Sequence, residues 1–128
     1  MSAAETISRG GCHCGRVAFE VEGRPERVDE CNCSICTKKG YLHWIVPRES
    51  FQLLTPAENV STYTFNTGVA RHHFCKHCGV KSFYIPRSHP DGVSVNARCL
   101  DGVAIESMTV VPFDGRNWDT ARAAWHDS

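Results

Sequence analysis

Three tight groups of cysteine restrict the possible folds of this chain more than any other feature. Seven of its eight cysteines lie in these groups. The groups are Cys12 with Cys14, Cys31 with Cys33 and Cys36, and Cys75 with Cys78. Cysteines this close together are poorly placed to bond each other, because a disulfide demands a specific geometry. Four disulfides in a secreted protein are the alternative, but clustered cysteines in a reduced protein indicate metal binding.

Composition is that of a globular protein. The chain has 128 residues, 41% of them hydrophobic and 22% charged, and we expect one domain spanning residues 1–128. The 14 basic and 14 acidic side chains cancel, so the chain has no overall electrostatic attraction to nucleic acid or anionic membranes. The segment "MSAAET" is polar, and no apolar run approaches the roughly 20 residues of a membrane span. We therefore predict a cytoplasmic protein that binds neither nucleic acid nor membrane.

Short alternating segments predict an all-β protein with antiparallel sheets and little helix. Val17, Phe19 and Val21 point one way in "RVAFEVE", which is the pattern of a half-buried strand. Six further candidates are rich in β-branched and aromatic residues and are separated by turn residues. They cover residues 41–46, 51–54, 61–65, 81–85, 93–100 and 105–113. The helical segments expected are a turn after Cys33 and a short stretch in "WDTARAAW".

Two cysteine pairs from distant parts of the chain fit one closed zinc site. Each pair is followed directly by a glycine, Gly15 after Cys12 and Cys14, and Gly79 after Cys75 and Cys78. Glycine permits the left-handed backbone that turns amide N–H groups toward thiolates. We predict that these four thiolates bind a structural zinc and hold the first hairpin against the middle of the chain.

The remaining group, "CNCSIC", has one ligand fewer than a closed zinc site needs. Three protein ligands with an open fourth position are the pattern of a catalytic zinc. Cys31, Cys33 and Cys36 are therefore the candidate catalytic ligands. The eighth cysteine, Cys99, leaves three alternatives open: a core residue, a fourth ligand that closes this site, or a reactive thiol.

Five longer segments carry a family resemblance, from about Gly10 to Trp118. They are "GGCHCGRVAFEV", "CNCSICTKKG", "FCKHCGVKSFYIPRSHPDG", "VNARCLDG" and "FDGRNW". In this order they resemble the glutathione-dependent formaldehyde-activating enzyme and centromere protein V family. The resemblance implies a zinc-pinned all-β domain of the β-tent kind. It also implies two zinc ions per chain, a structural one on the two cysteine pairs and a catalytic one on the cysteine triplet.

The resemblance further implies a chemistry. Founding members of the family are regarded as carbon–sulfur lyases that join glutathione and formaldehyde to S-hydroxymethylglutathione. By this resemblance the chain is expected to bind a thiol such as glutathione and to add it reversibly to formaldehyde or another small aldehyde. The alternative is a non-catalytic adaptor with two closed zinc sites, which would bind a protein partner through a sheet edge.

Glutathione is anionic, so basic side chains are expected beside the open zinc site. Lys38 and Lys39 follow the triplet directly, and Arg98 precedes Cys99. These three are the predicted thiol-binding residues. Other basic candidates are Arg71, Lys76, Lys81 and Arg87. For each of them, a solvated surface charge is the alternative interpretation.

Histidines and neighbouring polar residues supply further candidates. His43, on the strand after the triplet, is either a proton shuttle or a half-buried sheet residue. Four others, near the structural cysteines, could replace a thiolate ligand; they are His13, His72, His73 and His77. Ser94, Asn96 and Arg98 form a polar row that could border a site. Tyr84, Trp118 and Trp125 are expected to pack in the core or in a hairpin, and the pocket mouth is the alternative position for Tyr84.

Overall fold

The structure is a computed structural model, and it describes residues 6–32, 34–64, 70–86 and 89–114. Within these ranges the chain forms ten strands and one α-helix. The strands are β1 (Ile7–Gly11), β2 (Ala18–Glu22), β3 (Arg27–Cys31), β4 (Leu42–Pro47), β5 (Phe51–Leu53), β6 (Val60–Tyr63), β7 (His72–Cys75), β8 (Phe83–Tyr84), β9 (Gly92–Asn96) and β10 (Thr109–Phe113). The helix is α1 (Ser34–Lys39). In the part of the chain described, no helix is long and apolar enough to cross a membrane. The predicted all-β fold is confirmed.

The strands form three sheets. In spatial order these are β1-β2-β5, β10-β3-β4-β9-β8 and β6-β7. Their pairings are antiparallel as predicted, with the exception that β10 runs parallel to β3 and places Phe113 beside Cys31. This parallel pairing joins distant parts of the chain, so a pattern of local alternation could not reveal it.

The hydrophobic core lies between the three-stranded and five-stranded sheets. Phe19 of β2 is fully buried, and its ring lies 5.2 Å from that of Phe51 and 6.1 Å from that of Phe83. Val93 and Val95 of β9 are buried in the same cluster. Burial of this apolar surface is the main contribution to the stability of the sheet pair.

The sequence located seven of the ten described strands within a few residues. Three strands that it did not identify are β1, β3 and β7. β3 and β7 read "RVDEC" and "HHFC", so their polar and cysteine residues resemble a loop. Two predicted strands are also shorter than expected, because 3-10 turns occupy Ala97–Cys99 and Ile105–Ser107. The helical turn predicted after Cys33 is α1, whereas "WDTARAAW" with both tryptophans lies outside the described residues.

The second face of the five-stranded sheet buries polar groups. Along neighbouring strands, Asp29 pairs with His43, and His43 pairs with Asn96. Ser94, two residues along the same strand, pairs with Tyr84 of β8. Strand β9 is therefore buried on both faces, with valines toward the main core and polar side chains toward the second face. Cys31 and Cys36 lie at one end of this second face, next to His43.

Gly11, which precedes Cys12, allows the Val17 backbone to approach closely, and Gly11→Ala should destabilise the protein. A Cβ at this position would overlap the Val17 carbonyl oxygen across the β1–β2 hairpin. Backbone cannot move aside as a flexible side chain can, so we expect a loss of about 1–3 kcal/mol in the free energy of unfolding, the usual cost of overpacking. Urea unfolding of the metal-loaded protein measures this loss.

Gly102→Ala is the matched control for this substitution. Gly102 has a φ of 69° but no atom near the position of an added Cβ. Its replacement should therefore cost only the left-handed backbone penalty of about 1 kcal/mol. A Gly11→Ala protein as stable as the Gly102→Ala protein would contradict the close approach.

Candidate functional site

The first cysteine cluster joins the β1–β2 hairpin to the turn after β7. The Sγ atoms of Cys12 and Cys14 lie 3.6 Å apart, and those of Cys14 and Cys75 also 3.6 Å apart. Together with Cys78, all four sulfur atoms lie within 4.8 Å of one another. A tetrahedral zinc with Zn–S bonds of about 2.3 Å requires sulfur separations of about 3.8 Å. The four thiols therefore fit a closed zinc site.

Backbone N–H groups favour the ionised form of a sulfur atom in this cluster. Gly15 and Gly79 have φ angles of 83° and 80°, which confirms the left-handed turns expected after each pair. Burial opposes ionisation of Cys78, but the N–H groups of Val80 and Cys14 lower the pKa of its thiol to about 6. Thiolate is the form that binds a metal, so this turn favours the state required of a ligand.

The second cluster lies at the end of the polar sheet face. It contains Cys31 at the end of β3, Cys36 in α1 and His43 in β4, and one ligand atom from each lies within 4.8 Å of the others. The Cys36 Sγ atom is 3.2 Å from the His43 Nε2 atom. Cys36 is only 3% exposed and His43 only 5%. Soft thiolates and imidazole are a donor set that suits zinc.

Two hydroxyl groups contact the Nδ1 atom of His43, the ring nitrogen that does not face Cys36. This Nδ1 atom is 2.9 Å from the Ser94 Oγ atom and 3.2 Å from the Tyr84 hydroxyl. The Tyr41 hydroxyl in turn donates a hydrogen bond to the Ser94 carbonyl oxygen, and burial raises the pKa of Tyr41 well above its ordinary value. The imidazole is therefore fixed in one orientation, with its Nε2 atom toward Cys36.

Comparison with known proteins identifies a matching family, a relative with that family's description and a similar solved structure. The sequence model of the family described as "Glutathione-dependent formaldehyde-activating enzyme" matches residues 7–112. A relative from Halomonas elongata, provisionally named as an enzyme of this kind, is 30% identical over 104 residues, which cover 74% of this chain and 66% of the relative. A crystal structure of a Rhodobacter sphaeroides protein is 34% identical, with a TM-score of 0.73, and the match covers 81% of this chain and 97% of that one.

The chain belongs to the glutathione-dependent formaldehyde-activating enzyme family. The family match spans both cysteine clusters and nearly all of the described strands. It confirms the resemblance drawn from the five sequence segments. The relative from Halomonas elongata extends beyond the matched region, because the match covers 66% of its length.

Some of the predicted site residues lie together in the structure, some lie outside the described residues, and Cys99 lies apart from both clusters. The first cluster and the pair Cys31 and Cys36 come together as the cysteine spacing suggested. Cys33 and Arg87 lie outside the described residues. Cys99 belongs to neither cluster of the described part of the chain; its Sγ atom faces the Lys81 carbonyl oxygen at 3.9 Å. Burial raises the pKa of Cys99 to about 11, which keeps this partly buried thiol protonated at neutral pH.

The basic residues predicted to bind thiol are on the surface. Lys38 and Lys39 occupy the last turn of α1, and Arg98 is exposed after β9. The Lys39 Nζ atom lies 5.5 Å from the centre of the Phe74 ring. Burial lowers the pKa of Lys39, and the Cys36 thiolate opposes that change. Lys39 thus lies on the same helix as Cys36 and close to the Phe74 ring.

Lys81 was only one of the alternative basic candidates in the sequence, but in the structure it is buried. It is only 4% exposed, and its Nζ atom lies 2.7 Å from the His72 Nδ1 atom. The same atom lies 3.8 Å from the centre of the Tyr84 ring and 4.8 Å from that of Tyr41. Aromatic faces stabilise a buried cation. Lys81 therefore supports the tyrosine whose hydroxyl contacts His43, and Tyr84 belongs to this buried cluster.

The other histidines near the structural cysteines do not enter either cluster of the described residues. The His73 Nδ1 atom lies 2.8 Å from the Thr62 hydroxyl, and the His77 Nε2 atom lies 3.3 Å from the Asn59 side-chain oxygen. His13 lies between two ligands on the exposed turn. The four cysteines therefore form the first cluster without a histidine.

A cavity of about 580 Å³ begins at His43 and extends along the second sheet face. Its charged lining residues are Arg27, Asp29, Glu49 and Asp91, with His89 beside them. Burial raises the pKa of Asp29, and the nearby Arg27 guanidinium, 3.3 Å away, opposes that change. The lining of this cavity contains more carboxylates than basic groups, and Lys38, Lys39 and Arg98 are not part of it.

Proposed function

We propose that this protein is a zinc-dependent carbon–sulfur lyase that adds a thiol, such as glutathione, reversibly to formaldehyde or another small aldehyde. The observation that carries the proposal is a second metal-binding cluster, separate from the closed four-cysteine cluster and beside a cavity. His43 is the member of this second cluster that lines the cavity, and a purely structural protein has no need for such a cluster. Membership of the glutathione-dependent formaldehyde-activating enzyme family supports the same chemistry.

Each cysteine group has a separate role in this proposal. Cys12, Cys14, Cys75 and Cys78 hold a structural zinc, and Cys31, Cys33 and Cys36 hold a catalytic one. When bound, the catalytic zinc stabilises the thiolate form of a thiol at neutral pH. The protein then needs to position that thiol and to admit a small carbonyl compound. The cavity beside His43 provides room for the small carbonyl compound.

The proposed reaction balances without an oxidant or a reductant. The S–H bond of the thiol breaks, and a bond forms between sulfur and the aldehyde carbon. The carbonyl π electrons move to oxygen, which takes up a proton, and the product is a hemithioacetal. The reverse reaction returns the thiol and the aldehyde from the same groups.

Lys38, Lys39 and Arg98 are the proposed contacts for an anionic thiol. The cavity lining carries three carboxylates and one guanidinium, so it does not favour the carboxylates of glutathione. Lys38 and Lys39 share helix α1 with Cys36 and lie outside the cavity lining, so they supply positive charge near the cluster. A thiol held between these lysines and the cluster would have its sulfur near Cys36 and its carboxylates near the ammonium groups.

An exchange experiment tests the reaction directly. Glutathione and carbon-13 formaldehyde interconvert slowly with their adduct, and magnetisation-exchange NMR measures that rate at equilibrium. We expect the zinc-loaded protein to raise the exchange rate in proportion to its concentration and to leave the equilibrium constant unchanged. An exchange rate that is the same with and without the loaded protein would contradict the proposed function.

Cys33→Ser should abolish glutathione binding while the fold remains intact. Serine removes one thiolate from the catalytic site but leaves the four-cysteine cluster complete. Isothermal titration of the zinc-loaded variant with glutathione measures binding, and circular dichroism measures the fold. Cys99→Ser is the control, because Cys99 lies outside both described clusters. Glutathione affinity equal to that of the natural sequence would refute the role of Cys33.

A further inference from the structure

We propose that His43 is a nitrogen ligand of the second metal site, held in place for that role by Ser94 and Tyr84. This inference rests on the metal site of the proposed function, but not on its reaction. A site built from the triplet alone would use sulfur donors only, and the histidine would be a neighbour. The structure instead places an imidazole nitrogen among the ligand atoms.

The position of the His43 Nε2 atom is that of a ligand atom. It lies 3.2 Å from the Cys36 sulfur, and Cys31 completes a group whose ligand atoms all lie within 4.8 Å of one another. Zinc bound to one sulfur at about 2.3 Å and one nitrogen at about 2.0 Å would separate the two atoms by about 3.5 Å in a tetrahedral arrangement. The observed separation requires a movement of only a few tenths of an ångström.

The surroundings of the His43 Nδ1 atom supply a second, independent observation. A histidine that binds a metal through one ring nitrogen normally uses the other ring N–H in a hydrogen bond that fixes the ring. Here the Nδ1 atom has two hydroxyl partners, Ser94 at 2.9 Å and Tyr84 at 3.2 Å. Ser94 has 0% exposure, so its hydroxyl cannot turn to solvent. The ring is thus oriented from behind, with Nε2 directed at the cysteines.

The combination of sulfur and nitrogen ligands also determines the type of metal site and its charge. Two thiolates with one imidazole are a recurrent catalytic zinc set, and catalytic zinc can expand to five-coordinate, so His43 is compatible with both the Cys33 ligand of the proposed function and an incoming thiol. Cys31, Cys36 and His43 supply this set from β3, α1 and β4, three elements that meet at one end of the sheet. The nitrogen donor would reduce the negative charge of the site relative to sulfur alone, because imidazole is neutral where thiolate carries a full charge.

Bonding between nitrogen and metal can be observed directly. The intact protein, labelled with nitrogen-15 in its histidines, is loaded with cadmium-113 under reducing conditions. We expect a scalar coupling between cadmium-113 and the His43 Nε2 resonance, which a hydrogen bond from His43 to Cys36 would not produce. A fully loaded second site with no such coupling would overturn the inference, and this readout requires no variant.

Variants test the supporting residues. His43→Gln should remove the coupling and weaken metal binding at the second site, and Ser94→Ala should weaken it by about 10- to 100-fold, the usual effect of losing an outer partner. His73→Gln is the matched control, because its Nδ1 atom also contacts a hydroxyl, that of Thr62, yet His73 lies outside both described clusters. Unchanged second-site affinity in both the His43 and Ser94 variants would contradict the inference.

The two proposals can fail separately. If His43 shows the coupling but the loaded protein does not accelerate thiol exchange, the ligand assignment stands and the lyase function fails. If thiol exchange is accelerated but the coupling is absent, the lyase function stands and the ligand assignment fails.

Discussion

Cys75→Ser is expected to leave the protein largely unfolded at room temperature, with the first metal lost. Cys75 is 1% exposed, and the cluster it completes joins the β1–β2 hairpin to the end of β7. Structural zinc contributes about 10–16 kcal/mol to folding in zinc-finger peptides, whereas a whole domain is typically stable by about 5–15 kcal/mol. Even partial loss of that contribution exceeds what the core can replace.

Circular dichroism and zinc analysis of the purified variant measure this effect. Cys99→Ser is the matched control, since Cys99 is also a partly buried cysteine but belongs to neither described cluster. We expect the control to keep its fold and its full zinc content. A Cys75→Ser protein that unfolds at the same temperature as the control would show that the four-cysteine cluster does not stabilise this fold.

Cys36→Ser should produce the opposite combination, a folded protein without activity. Cys36 lies on the second face of the five-stranded sheet and is not part of the main hydrophobic cluster. Its replacement should reduce the zinc content from about two per chain to about one and leave the thermal transition nearly unchanged. A catalytic metal contributes several kcal/mol of transition-state stabilisation, so we expect at least about a 100-fold fall in the accelerated exchange rate.

Zinc analysis separates this outcome from simple loss of a packing residue. Lys38→Ala, on the same helix, is the control for disturbance of α1, because Lys38 is exposed and supplies no metal ligand. It should keep both zinc ions and change only the affinity for glutathione. Retention of both zinc ions and of the full exchange rate by Cys36→Ser would remove Cys36 from the catalytic site.

Local patterns in the sequence predicted those strands and turns whose conformation depends on neighbouring residues in the chain. Alternation identified β2, because a strand with one face in the core must repeat every second residue. The β-branched and aromatic residues of 41–46 identified β4. Glycine after each cysteine pair predicted the left-handed turns at Gly15 and Gly79. The pairing of these two cysteine groups was also predictable, because a zinc site closed by thiolates needs four of them and two matched turns were present.

Other features depend on which strands lie side by side. β3 has too many polar residues to alternate clearly, and its parallel partner β10 is about eighty residues away along the chain. The register of β3, β4 and β9 brings Asp29, His43 and Asn96 into one row. A one-residue change in that register would turn His43 toward the main core and away from the cysteines.

The amino-acid sequence by itself determined the all-β class, the family resemblance and the groups of candidate metal-binding cysteines, because those follow from local patterns and motifs along the chain. Only the tertiary structure decided that His43 joins Cys31 and Cys36, that Ser94 and Tyr84 orient its ring, and that Lys81 is buried behind them. The physical reason is that ligand geometry is set by contacts across strands. Such contacts depend on register and sheet order, which residue spacing alone does not specify.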